Sequence, residues 1–250
     1  MIIIYALVKR AKNFHFVMGV MPSKKGYTMK VLKRDSLPLG GFAGIKEHRL
    51  VVDQRIGGNA NTWNGLGNFV YLADALYDPY GQTNMHPHHE IDIISLIVKG
   101  RVNHEGSLQN GQSLVENQVQ VQRAGGEGFS HNEINPDKER SRMIQIWVLP
   151  ENAGEPASYK LYNLEKGNVT SIYGGAINQT HTLDAHTILE VGILKTHQKI
   201  SKKGEFMLYV TQGSGYLNGI RVEDGDLIRG EDFELEAIED GMQIIIVTKR

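Results

Sequence analysis

Apolar residues recur along this chain in short runs with a period near two, and glycine-rich turns rather than helical repeats separate them. Arg49 to Asp53, Asn68 to Leu72, His86 to Val98, Gly100 to His104, Gln118 to Gln122 and Met143 to Leu149 each read as a strand. Gln118 to Gln122 alternates Val and Gln strictly, which puts two unlike faces on one strand. Tyr77-Asp78-Pro79-Tyr80-Gly81 and Gln109-Asn110-Gly111-Gln112 are turn signals, the second between two strand-like runs and so a hairpin. Short strands at this spacing, with few short helices, predict an all-β sandwich or barrel.

The pattern then repeats. Val98 to Gly106 (VKGRVNHEG) has a counterpart in Thr211 to Gly219 (TQGSGYLNG), and Leu114-Val115-Glu116-Asn117 is echoed by Arg221-Val222-Glu223-Asp224. Self-similarity at about half the chain length predicts two related β-barrels. The expected division is a first barrel over 29–155 and a second over 156–250, joined through Pro150 to Pro156. Residues 1–28 stand apart: a short apolar run is followed by Lys9, Arg10, Lys12, Lys24 and Lys25, and the first acidic residue is Asp35. The stretch fits neither a secretory signal nor a membrane span. It reads as a basic arm, or as sequence ahead of a start at Met29.

Composition narrows the chemistry. At 250 residues, 40% hydrophobic and 22% charged, the chain can bury a real core. A net charge of −1 offers no general attraction to nucleic acid or acidic membranes. With no cysteine, disulfides, thiolate metal sites and cysteine nucleophiles are all excluded, so any metal must be held by nitrogen and oxygen. No Gly-x4-Gly-Lys-Ser/Thr string or nucleophile-elbow spacing is present.

Five of the ten histidines (His86, His88, His89, His104 and His131) lie between Met85 and Glu133. On a strand, His86 and His88 project to one face, and so do His131 and Glu133. If the two strands face each other, three imidazoles and a carboxylate meet inside the first barrel, a donor set suited to a divalent transition metal. Spacing alone leaves open a second reading, hydrogen-bonded histidines on barrel strands. His89 would point away from His88, Asp92 is a candidate spare acid, and Trp63, Tyr71 and Trp147 read as core aromatics. His181 and His186 would face opposite sides of a strand. The second half keeps no ligands: Lys199 and Ser201 occupy the places of His86 and His88.

His86-Pro87-His88, the Val98 to Ser107 segment, Ala124-Gly125-Gly126 leading to His131-Asn132-Glu133, and Gln145 to Pro150 (QIWVLP) together resemble the pirin family of the cupin superfamily, in order from about Asn61 to Pro156. The resemblance implies two cupin-type β-barrels in one chain, with metal only in the N-terminal one, held by His86, His88, His131 and Glu133. Three positions depart from the family pattern: Asp92 stands where cupins carry Glu, Gly106 replaces an acidic residue, and Gly126-Glu127-Gly128 makes the turn before His131 one residue longer.

The implied activity is that of a quercetin 2,3-dioxygenase, taking a small aromatic flavonol and O2; as the nearest base to the substrate hydroxyl, Glu133 is expected to be catalytic base as well as ligand. Iron(II) is the first choice of metal, with nickel, manganese or copper as alternatives. The competing reading is a metal-binding regulatory protein that acts through a protein partner. A cytoplasmic monomer is expected, with no nucleic-acid or membrane partner.

Overall fold

The computed structural model describes residues 19–22, 28–60, 62–108, 112–176 and 178–250. Most of the basic stretch 1–28 and the tip Gln109-Asn110-Gly111 of the expected hairpin lie outside them. Apart from two short 3-10 turns, at Arg34–Ser36 and Gln54–Ile56, the regular structure among the described residues is β. The first strands are β1 (Gly19–Pro22), β2 (Thr28–Lys33), β3 (Gly40–Phe42), β4 (Ile45–Val52) and β5 (Phe69–Tyr77). The central group is β6 (His86–His88), β7 (Asp92–Lys99), β8 (Arg101–Gly106), β9 (Gln112–Val115), β10 (Gln118–Arg123), β11 (Phe129–Ile134) and β12 (Ser141–Val148). Then follow β13 (Ser158–Asn163), β14 (Val169–Gly175), β15 (Ala185–Leu194), β16 (Lys199–Gln212), β17 (Ser214–Leu217), β18 (Ile220–Glu223), β19 (Asp226–Ala237) and β20 (Met242–Lys249).

These strands make two lobes, and the expected barrels are open sandwiches. In the N-terminal lobe a seven-stranded sheet, β13-β10-β7-β12-β5-β4-β3, is covered by a four-stranded sheet, β6-β11-β8-β9. The C-terminal lobe is one nine-stranded sheet with the main order β1-β2-β19-β16-β20-β15-β14, folded over its own apolar filling. The expected division at residue 155/156 is crossed in both directions: β2 pairs with β19, and β13 pairs with β10. The basic arm's residues 19–22 likewise pair with β2 at the edge of the second lobe.

The internal repeat is visible in the turns. Gly100 (φ +76°) and Gly213 (φ +78°) join consecutive strands in the two lobes, and each lies under the start of a neighbouring strand, at Ser141 and Met242. The Glu116 N–H donates to the Gly100 carbonyl at 3.1 Å, and the Asp224 N–H to the Gly213 carbonyl at 3.0 Å. Glu116 therefore corresponds to Asp224, one position on from the sequence echo.

Strand alternation separates two jobs on the seven-stranded sheet. Ile94, Leu96, Val119, Val121, Ile144 and Ile146 face the second lobe and pack with Tyr173, Leu189, Met207, Tyr209, Ile245 and Val247 in one apolar core. Ile93, Ser95, Gln120, Gln122, Gln145 and Trp147 alternate with them and face the interior of the first lobe. Gln120 and Gln122 are fully buried, so the Val/Gln strand has a covered polar face rather than a wet one.

Two Asp–Arg–Tyr clusters pin the lobes at the rim of this core. Asp74 accepts from Arg142 at 2.6 and 2.9 Å, from Arg34 at 3.2 Å and from the Tyr209 hydroxyl at 2.5 Å. Asp92 accepts from Arg123 at 3.0 to 3.2 Å and from the Tyr173 hydroxyl at 2.7 Å. Asp92 is thus turned to the lobe interface and is not a spare acid of the histidine site. Desolvation raises the Asp74 carboxyl, but bonds from Arg142 and Tyr209 outweigh it and hold the group below the usual range. Its contribution is therefore present above the unfolded carboxyl pKa and lost as acid protonates it. Replacing Asp74 by Ala should cost about 1–3 kcal/mol at pH 7, because the buried Tyr209 hydroxyl loses its acceptor while both arginines keep Asp224. Urea denaturation measures this; a loss under about 1 kcal/mol would show that the cluster holds nothing together.

Candidate metal centre

The histidine site is built by pairing β11 between β6 and β8. The register sets Phe129 opposite His88, Ser130 opposite Pro87 and His131 opposite His86. β6 is the outer strand of its sheet, which is where Pro87, having no N–H to give, can sit inside a strand. The long glycine turn does not disturb this pairing. The Gly126 N–H bonds to the Glu155 carbonyl and the Gly128 N–H to the Ala124 carbonyl, at 3.0 and 2.9 Å, which absorbs the added residue before β11 begins. Gly106, opposite His131, has a use as well: a Cβ there would lie 2.1 Å from the Ser130 carbonyl oxygen and 3.1 Å from the His131 Cβ. An acidic side chain at that position would push β11 away.

Three imidazoles converge as a result. The Nε2 of His131 lies 3.0 Å from the Nε2 of His88 and 3.0 Å from that of His86. Among the described residues these three histidines form the one group with metal-ligand spacing, their donor atoms lying within 4.8 Å of one another. Imidazole nitrogens at right angles on an ion with bonds of about 2.1 Å stand about 3.0 Å apart, so the spacing fits a transition ion. Burial favours the uncharged rings: desolvation lowers His86, takes His88 down to about 3, and takes His131 well below its ordinary value, with the neighbouring imidazoles adding to the effect. The Nδ1 of His86 lies 2.8 Å from the Asn84 carbonyl oxygen, which can only accept. Its proton is therefore on Nδ1, and its Nε2 presents a bare lone pair.

Glu133 shares the strand face with His131 but does not join that group. One carboxyl oxygen accepts from the Ser95 hydroxyl at 3.0 Å and the other from the Tyr77 hydroxyl at 3.3 Å. Fully buried, the carboxyl is pushed up to about 7 by desolvation, against those two bonds. The Thr83 hydroxyl accepts from the Glu133 N–H and the Thr83 N–H donates to the Glu133 carbonyl, so the loop ahead of β6 is tied to β11.

The remaining sequence candidates separate cleanly. His89 is exposed and its ring meets the Gly126 carbonyl at 3.1 Å. Trp63 packs on the interlobe core. Tyr71 and Trp147 stack at 4.4 Å, and Trp147 also meets the His88 ring edge-on at 6.0 Å, so this pair is a wall of the site as well as core. His181 packs against Tyr162, while His186 pairs with Glu151. Spacing could not have singled out Ser95 or Gln122, because the strands that bring them to the histidines are distant in sequence.

The fold and the centre together define a two-lobed all-β protein with three histidines gathered inside its first lobe. Residues 59–148 match the family model for pirin. The chain is 26% identical over 148 residues to a quercetin 2,3-dioxygenase of Escherichia coli K12, covering 56% of this chain and 64% of that one. It is 27% identical over 175 residues to a pirin-like protein of Caulobacter vibrioides, covering 64% and 75%. In fold it is similar to the bacterial pirin YhhW of E. coli, solved in complex with nickel(II): TM-score 0.75 at 18% identity, covering 88% of this chain and 99% of that one. Every candidate metal ligand falls inside the segment that matches the pirin family model.

In metal-free protein, Glu133 should oppose folding at high pH. Its folded value lies above the unfolded one, so stability present below pH 4.5 is lost as pH rises through about 7. The loss approaches about 3 kcal/mol in magnitude. Glu133→Gln should match wild type at pH 4 and exceed it at pH 8 in chelator-treated denaturation series; equal curves at pH 8 would mean that the carboxyl is not held in a desolvated place.

Proposed function

We propose that this chain is a metal-dependent dioxygenase of pirin type that acts on a flavonol-like aromatic substrate, its metal held by His86, His88, His131 and Glu133. The observation that carries the reading is the trio of uncharged imidazole nitrogens at ligand spacing. Relatives named quercetin 2,3-dioxygenase support the substrate class, and a similar fold solved with nickel(II) supports a divalent ion. Iron(II) is the preferred metal for a nitrogen-rich set with one carboxylate, with nickel, manganese or copper able to replace it. A divalent ion held there would supply Lewis acidity toward a substrate oxyanion.

The chain's own residues do the rest. Glu133 takes the proton from the substrate hydroxyl, being the buried carboxylate that shares a strand face with His131. Ser95 and Tyr77 hold its two oxygens and so aim it. The stacked Tyr71–Trp147 pair beside His88 gives a flat aromatic wall for the substrate ring. Phe129, which clusters with Ile93, packs its ring against those of His88 and His131.

The test is elemental analysis of protein purified without added metal, followed by oxygen uptake with quercetin. Close to one divalent ion per chain and an uptake abolished in His86→Ala are expected. Glu133→Gln should lower turnover by about 10²–10⁴-fold, the usual worth of a positioned base. Full turnover in that variant would remove the base assignment. Bound metal with no uptake across several flavonols would overturn the enzyme in favour of a metal-dependent partner of another protein.

A further inference from the structure

The buried polar face of β10 leads to the metal centre by a row of hydrogen bonds that the reaction itself does not call for. Gln120 Nε2 donates to Gln122 Oε1 at 3.1 Å. With its carbonyl so occupied, Gln122 presents its amide N–H to His104 Nε2, also at 3.1 Å. His104 Nε2 in turn lies 3.1 Å from His131 Nδ1. All four side chains are buried, His131 at 1% exposure and the others at 0%.

The direction of this row decides where a proton sits. A nitrogen that faces an N–H donor must offer a lone pair, so neutral His104 carries its proton on Nδ1 and accepts at Nε2. A bare His131 Nδ1 only 3.1 Å away would set lone pair against lone pair, so that nitrogen carries a proton, which shares the His104 lone pair with the Gln122 N–H. A neutral imidazole has one proton, and with that proton on Nδ1, His131 Nε2 is bare and points at His86 and His88.

We propose that His104 is a positioning residue of this centre, holding His131 through the Gln120–Gln122–His104 row as the Nδ1–H tautomer, with its Nε2 ready for a metal before one arrives. The proposal rests on the metal-centre reading and adds to it the group that prepares the most buried ligand. His86 is prepared in a different way, by the Asn84 carbonyl. Two of the three ligands therefore have their tautomer set by the protein. Facing lone pairs only 3.0 Å apart repel each other, and a cation between them removes that repulsion. A histidine that served only to fill space would be indifferent to which nitrogen of His131 bears the proton.

The direct test is long-range ¹H–¹⁵N correlation on metal-free protein labelled with ¹⁵N-histidine. His131 should appear as the Nδ1–H tautomer; the Nε2–H form, or an even mixture, overturns the proposal. This measurement needs no metal, so it stands or falls apart from the dioxygenase reading. Metal affinity gives the second readout, by chelator competition with Ni²⁺. His104→Phe keeps a ring but removes the acceptor and should weaken binding about 10–100-fold. His104→Gln places an amide oxygen at the same reach and should bind within about threefold of wild type, as the restored acceptor requires. Unchanged affinity in His104→Phe, or equal weakness in both variants, contradicts the role. Should His104→Phe fail to fold, Gln122→Leu removes the N–H that orients His104 and should let the two His131 tautomers mix; an unchanged spectrum there overturns the proposal as well.

Discussion

The pairing of β11 with β6 is the constraint on which the centre depends. Side chains on antiparallel strands meet only in register, and a slip of β6 by one residue would turn His86 and His88 away from the face on which His131 stays. The pairing His131 with His86 is protected from both ends: the turn Gly126 to Gly128 sets where β11 begins, and Thr83 ties the preceding loop to Glu133. Gly106 then allows β8 close enough to back the same strand. Three backbone devices thus fix three rings, and the rings bring their Nε2 atoms together.

Holding those rings still needs a stiff floor, and the floor is the seven-stranded sheet. Its outward face is buried against the second lobe, while its inward face supplies Ser95, Gln122 and Trp147 to the histidine region. The second lobe has no histidine cluster among its described residues and is filled by Phe206, Phe233, Leu208, Ile244 and their neighbours. Its role in this architecture is to clamp the floor. Exchange of β2 and β13 between the lobes, and the Asp74 and Asp92 clusters at the rim, make that clamp continuous along the chain.

Much of this was legible in the residues. Period-two patterning and glycine turns predict the all-β fold, the echo around Gly213 predicts two lobes, and i, i+2 spacing predicts the convergence of His86 and His88 with His131. What patterning lacks is knowledge of which face meets which. Asp92 shares the spacing of a pocket acid, yet the face on which it lies is the lobe interface. Gln120 and Gln122 look like a solvent face and are instead the covered floor of the site. Glu133 reads from its spacing to His131 as a ligand and base, but its bonds to Ser95 and Tyr77 join strands far apart in sequence and could be seen only in three dimensions. The strand exchange escapes for the same reason, since a linker with Pro150, Gly154 and Pro156 marks a change of direction and not a change of sheet.

The central claim is that one ion sits among three ring nitrogens contributed by two strands. Anomalous diffraction at the metal edge, on crystals of the metal-loaded protein, tests it most directly. The account predicts a single strong peak within about 2.0–2.2 Å of the Nε2 atoms of His86, His88 and His131. A peak that leaves out any one of the three, or that lies in the second lobe, would contradict it.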